Sequence, residues 1–260
     1  MVKLGCCTAI NGLTAVKKAG FDFVDLPGAE LSRLSFYDVE CLADRLWQMR
    51  LPCIGIHAAV PPDIRLCGRG SNEKKVMEYA QALCAKLNRL NIRFLGIGSP
   101  LSRSLFDEDS RDMANAQLCS SIRIFAEELP NAFVLLESLN KKETNFINTM
   151  SEAYEMISLI NLENTGLVCD LYHMAKSGET TAAFTAQISR SIRYLHIADP
   201  NRRRFPEESS PASLFKLLKD VEDRTGCGYL SIEAISSCME KDAATGYRTM
   251  QKIFQKYGWR

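Results

Sequence analysis

Short apolar runs alternate with helix-length amphipathic segments eight times along this chain. The runs are VKLGCC (2–7), DFVDL (22–26), CIGIH (53–57), RFLGIG (93–98), FVLLE (133–137), GLVCD (166–170), IRYLH (192–196) and GYLSIE (228–233). They are nearly continuous rather than alternating, which is how strands covered on both faces read. Between them the period changes to that of a helix. Residues 11–20 form a short helix stopped by Gly20, and 36–49 are helical. Val76, Ala80, Leu83, Leu87 and Leu90 share one face behind Ser71 and Asn72 as start signals. A long helix is expected over about 108–128, with Met113, Leu118, Ile122 and Phe125 on one side. Thr149 and Glu152 have capping-box spacing ahead of Ala153, Met156, Ile157 and Ile160. A weak helix is expected over about 180–189. Ser210 and Pro211 signal a helix through Leu214, Phe215, Leu218 and Val221, and a last helix runs over about 240–256.

Eight strand–helix units with short connections predict a single-domain α/β fold over residues 1–260, a (β/α)8 TIM barrel. A doubly wound open sheet is the alternative, but it uses fewer strands. The longest irregular stretches, 58–70, 99–109 and 198–209, follow strands three, four and seven. They would lie at the carboxyl ends of the strands, where barrels build their sites.

The ends of the runs carry the chemistry. Strands five to eight end on Glu137, Asp170, His196 and Glu233, and in a barrel strand ends converge. One acid at a strand end usually caps the next helix or pairs with a cation. Four in succession, one of them an imidazole, point instead to a divalent ion. Three carboxylates and one imidazole suit Mn²⁺, Mg²⁺ or Co²⁺, and suit tetrahedral Zn²⁺ less well. Glu143, His173 and Arg202 follow the quartet closely in sequence and are candidates for its surroundings. For two of Arg202, Arg203 and Arg204, a solvated basic loop is the better reading. His57 ends strand three as a satisfied rim histidine.

Composition narrows the partners. The 260 residues carry a net charge of +1, which argues against a nucleic acid held mainly through its phosphates. No apolar run approaches the ~20 residues that cross a bilayer, so no membrane partner is expected. MVKLGCC runs straight into a strand with no signal-peptide pattern. The ten Cys are scattered with no C-x-x-C pair and read as buried hydrophobes of a reducing cytoplasm.

ESLNKKETNFINT (137–149), CDLYH (169–173), HIADPNR (196–202) and GYLSIE (228–233) resemble the xylose isomerase-like sugar isomerase and epimerase superfamily, and within it the ketose 3-epimerases of the D-tagatose/D-psicose 3-epimerase group. AGFDFVDLPGAEL (19–31) and GSPLSR (98–103) extend the resemblance. It implies a metal-dependent epimerase acting at C3 of a ketose through a metal-stabilised enediolate. Glu137 and Glu233 would be acid/base catalysts and metal ligands, with Asp170 and His196 completing the coordination of one divalent ion, Mn²⁺ by preference. Glu143, His173 and Arg202 would bind the sugar, and a homo-dimer or tetramer follows by analogy. Alternatives within the superfamily are an aldose–ketose or hydroxypyruvate-type isomerase or an inosose-type dehydratase. A non-catalytic sugar-binding barrel is another. An abasic-site endonuclease uses the same barrel but needs a multi-metal site rich in His, and this chain has three His. The chain departs from the family at Asp25 where Glu is commoner, at Gly5-Cys6-Cys7 where relatives place an aromatic, at His57, and at RRFPEESSP (203–211) in place of a Pro-Gly-x-Gly turn.

Overall fold

A computed structural model describes residues 1–259. Eight parallel strands pair in chain order, and the eighth closes on the first: β1 Lys3–Cys7, β2 Phe23–Pro27, β3 Cys53–His57, β4 Phe94–Ile97, β5 Phe133–Glu137, β6 Thr165–Asp170, β7 Ile192–Ile197 and β8 Tyr229–Ile232. The closing register runs from Lys3 opposite Tyr229 to Cys6 opposite Ile232. The (β/α)8 barrel expected from the eightfold alternation is therefore the observed fold. Closure leaves no sheet edge, so every strand can be apolar on both faces.

The major helices are α1 Leu13–Ala19, α3 Phe36–Gln48, α4 Glu73–Leu90, α6 Arg111–Glu128, α7 Met150–Ile160, α10 Ala212–Thr225 and α11 Met239–Tyr257. The helix expected over about 180–189 is a 3-10 turn, Thr181–Ala183, followed by a short helix, α9 Ala186–Ser191, and three further short helices escape a periodicity search because each is too short to show a face: α2 Gly28–Leu31, α5 Pro100–Arg103 and α8 Leu171–Ser177. The Thr149–Glu152 capping box forms as expected, and Asn72 caps α4. Ser210 does not cap α10. Its hydroxyl accepts from the Glu207 N–H instead, and Pro211 occupies the cap position.

The strand period of two separates an outer from an inner layer. On β5, Val134 and Leu136 join the main core beneath the helices. Leu135 joins a smaller cluster inside the barrel with Phe23, Phe94, Val168 and Tyr194. Phe94 and Tyr194 stack there at a 4.7 Å centroid distance, an arrangement worth about 0.5–1.5 kcal/mol beyond burial. Two residues beyond these inner side chains, on the same face and one layer up, come Asp25, Glu137, Asp170 and His196. The apolar plug thus forms the floor under a polar layer. Among the described residues no helix is long and apolar enough to cross a membrane, and all ten cysteines are free.

Candidate metal centre

Glu137, Asp170, His196 and Glu233 converge at the carboxyl end of the barrel, each offering a ligand atom within 4.8 Å of the others. Glu137, Asp170 and His196 arrive on β5, β6 and β7. Glu233 lies just past β8, its N–H bonded to the Ile197 carbonyl at 3.1 Å. His196 Nδ1 approaches Glu233 Oε2 to 2.8 Å and Glu137 Oε1 to 3.4 Å. Neither approach has hydrogen-bond geometry, so all three atoms are buried without a partner. Buried polar atoms left unpaired are costly, and a convergent set of three is accounted for by a cation that all of them face. Asp170 does both jobs open to a strand-end acid. Its Oδ1 caps α8 by accepting from the Tyr172 N–H at 2.6 Å, and the carboxylate also joins the quartet.

The charges act on one another strongly. Burial, with the Glu233 charge, raises the Glu137 carboxyl above the usual range. Burial also works to raise Glu233, but His196 beside it outweighs this and holds that carboxyl low. Burial works to lower His196, and Glu233 and Glu137 together overcome it, so the imidazole binds its proton more tightly than usual. A buried carboxylate cluster of this kind calls for positive charge.

Beside the quartet the loop after β5 folds back on α8. His173 Nδ1 accepts from the Asn140 N–H at 3.2 Å, which puts the ring proton on Nε2. That Nε2 is buried without a hydrogen bond, 3.7 Å from Asp170 Oδ2. Glu143 takes donors from Asn140 Nδ2 at 3.3 Å and Arg203 Nη1 at 2.8 Å.

Arg203, not Arg202, reaches Glu143. Arg202 and Arg204 are exposed, whereas Arg203 is about a quarter exposed and lies over the Tyr172 ring. The cause is a tight turn. The Asn201 N–H bonds Asp199 Oδ1, the Arg203 N–H bonds the Asp199 carbonyl, and Arg203 takes a left-handed φ of 50°. The two solvated arginines expected in this loop are thus Arg202 and Arg204, and the inward position passes one residue along the chain.

Arg103 is a further residue of the site that the spacing of motifs does not mark. It is wholly buried, donating to the carbonyls of Gly98 at 2.7 Å, Glu137 at 2.7 Å and Phe146 at 2.8 Å. It thereby ties the ends of β4 and β5 to the loop that carries Glu143. Its signal was the terminal Arg of GSPLSR, next to a strand end. Gly98 has to be glycine here, because an added Cβ would lie 2.4 Å from Glu137 Oε2.

Two cavities meet at this layer, and Arg203 and Glu233 line both. One, about 310 Å³, includes Val60, Pro61, Leu139, Glu143 and His173. The other, about 290 Å³, includes Cys7, Thr8, His57 and Ser236. His57 Nδ1 is buried without a partner, so the expected satisfied rim histidine is not what the fold holds. A larger hollow of about 1130 Å³ lies at the opposite end of the barrel, between the ends of α3 and α4, away from the quartet.

The family described as xylose isomerase-like TIM barrel matches residues 13–257. Among solved structures, this chain is similar to an L-ribulose 3-epimerase (TM-score 0.80, 19% identity, 98% of this chain and 95% of that one). It is similar also to D-psicose 3-epimerase from Clostridium cellulolyticum H10 (0.78, 16%, 99% and 98%). AP endonuclease, family 2, from Brucella melitensis superposes comparably (0.75, 18%, 94% and 97%). Over 155 residues the chain is 24% identical to a probable endonuclease 4 of Mesomycoplasma hyopneumoniae strain J, covering 58% of this chain and 52% of the relative. The chain spans about half the length of the curated relatives it matches.

Proposed function

This chain belongs to the xylose isomerase-like TIM barrel family, and from that premise we propose that it is a divalent-metal-dependent epimerase acting at C3 of an unidentified ketose. The observation that carries the reading is the convergence of Glu137 Oε1, His196 Nδ1 and Glu233 Oε2, buried and unpartnered, beside Asp170. Glu137, Asp170, His196 and Glu233 would hold the ion, with Mn²⁺ the best match and Mg²⁺ or Co²⁺ alternatives. When bound, the ion supplies Lewis acidity toward a carbonyl and a neighbouring hydroxyl oxygen.

The chain's own residues do the rest. Glu137 and Glu233 reach the centre from different strands, so one can take the proton from C3 while the other returns one to the opposite face. Glu143 accepts from a sugar hydroxyl. His173 donates its Nε2 proton to the carbonyl end, and Arg203 contributes positive charge where negative charge develops. The apolar wall of Val60, Pro61 and Leu139 keeps water from the reacting carbons. Similarity to the two 3-epimerases over nearly their whole length supports the reaction class.

Strand scission at abasic sites is favoured by the matched endonucleases. Two observations weigh against it. The clusters of potential ligands among the described residues share His196 and Glu233, so they mark one ion position. The net charge of +1 offers little to a phosphate backbone.

Incubation with a panel of ketoses and ketose phosphates in Mn²⁺ should give the C3 epimer of at least one member, and chelator should abolish it. Turnover of none of them, or a product altered at another carbon, would overturn the proposal.

A further inference from the structure

β2 ends its inward face on a carboxylate that the proposed reaction leaves unused. Asp25 is 1% exposed, inside the barrel beside β1 and β3. Space is made for it by Gly55, where an added Cβ would lie 2.2 Å from Asp25 Oδ1. Its close partners are neutral: Tyr194 Oη donates at 2.7 Å and Cys7 Sγ lies at 3.5 Å. No Lys or Arg among the described residues pairs with it. Among the described residues, the one ionisable nitrogen within ion-pair distance is His196 Nε2, at 3.9 Å from Asp25 Oδ2.

An anion buried in a barrel core without a cation is expensive, and an apolar residue at this position would pack more cheaply. His196 presents Nδ1 to Glu137 and Glu233 and its opposite edge to Asp25. An imidazole that ligates an ion through one nitrogen carries its proton on the other, and a carboxylate facing that proton fixes both tautomer and ring orientation.

We propose that Asp25 is the positioning residue of the metal centre: it accepts the Nε2 proton of His196 and so holds the Nδ1 lone pair on the ion. This rests on the reading of the quartet as a divalent-ion site. A shift of roughly 1 Å brings the pair into hydrogen-bond range. Tyr194, donating from the other side, keeps the carboxylate in place. The aspartate at a position where relatives commonly carry Glu therefore belongs to the ion's support.

The test measures Mn²⁺ affinity by calorimetry in the wild type, Asp25→Asn, Asp25→Ala and Tyr194→Phe, with thermal melting of each. Affinity should fall about 10–100-fold in Asp25→Ala and less in Asp25→Asn, which keeps an acceptor but loses the charge. Tyr194→Phe removes the donor that holds Asp25 and should lower affinity by less than Asp25→Ala does, because the carboxylate itself remains. A ¹⁵N-histidine spectrum of the Mg²⁺-loaded wild type supplies a readout that does not depend on any variant folding. The chain has three imidazoles to assign, and that of His196 should carry its proton on Nε2. Wild-type affinity in a folded Asp25→Ala, or an Nε2 of His196 without its proton, would overturn the proposal while leaving the ion site standing. A wild type that takes up no Mn²⁺ would overturn both.

Discussion

The two sides of the barrel mouth are built differently. From β4 to β6 the backbone is held by side chains with few free donors. Arg103 binds three carbonyls, Asn148 Nδ2 binds those of Leu139 at 2.7 Å and Thr144 at 2.9 Å, and Asn140 holds His173. From β7 round to β3 the mouth is built from a backbone turn and side chains that face the cavity. Arg203 sits in a left-handed turn, His57 Nδ1 has no partner, and Ile235 is exposed. The held side carries Glu137, Glu143, Asp170 and His173. The second side holds the positions where the chain leaves the pattern of the ketose 3-epimerases: Cys7, Asp25, His57 and the 203–211 loop. On the proposed reading the first side supplies half of the quartet and the sugar-facing Glu143 and His173, and the second supplies His196, Glu233 and the departures from the family pattern.

The largest expected effect tests the one role that spans both sides. Glu137→Gln and Glu233→Gln should each lower kcat by about 10²–10⁴-fold, with the fold intact by circular dichroism. A loss confined to one of them would break the two-carboxylate account. Next is the frame itself. Arg103→Met leaves buried carbonyls unsatisfied and should cost about 3 kcal/mol or more in a denaturant melt. A near-neutral result would show that the held side does not depend on this arginine. On the second side, Arg203→Ala should lower kcat/KM by about 10–100-fold through loss of a charged hydrogen-bonding group, while Arg202→Ala stays at wild type. The reverse order would return the role to Arg202. The smallest effect is a slope. His196 holds its proton above the ordinary histidine range in the ion-free chain. Below that raised pKa the proton blocks Nδ1, and above it the lone pair is free. Mn²⁺ affinity should therefore rise with pH through that range, with proton release in calorimetry, and flat affinity would contradict it.

The barrel was legible because short, nearly continuous apolar runs give way to a 3.6-residue period eight times along the chain. The quartet was legible because a strand's last inward residue must face the axis. Where backbone direction is set by loops, the sequence was silent. Nothing in Asn201-Arg202-Arg203-Arg204 reveals that Asp199 tightens the turn and sends Arg203 inward. Arg103 carries no mark of its role in the sequence because burial of an arginine depends on three carbonyls brought together from distant segments. His57 was read as a satisfied rim residue, since a missing partner is visible only in three dimensions.

The most direct test is solvent deuterium exchange into the ketose. In D₂O with Mn²⁺, the account predicts deuterium at C3 of both recovered substrate and its epimer, lost on chelation and in Glu137→Gln or Glu233→Gln. Turnover with no deuterium at C3, or deuterium only at another carbon, would contradict it.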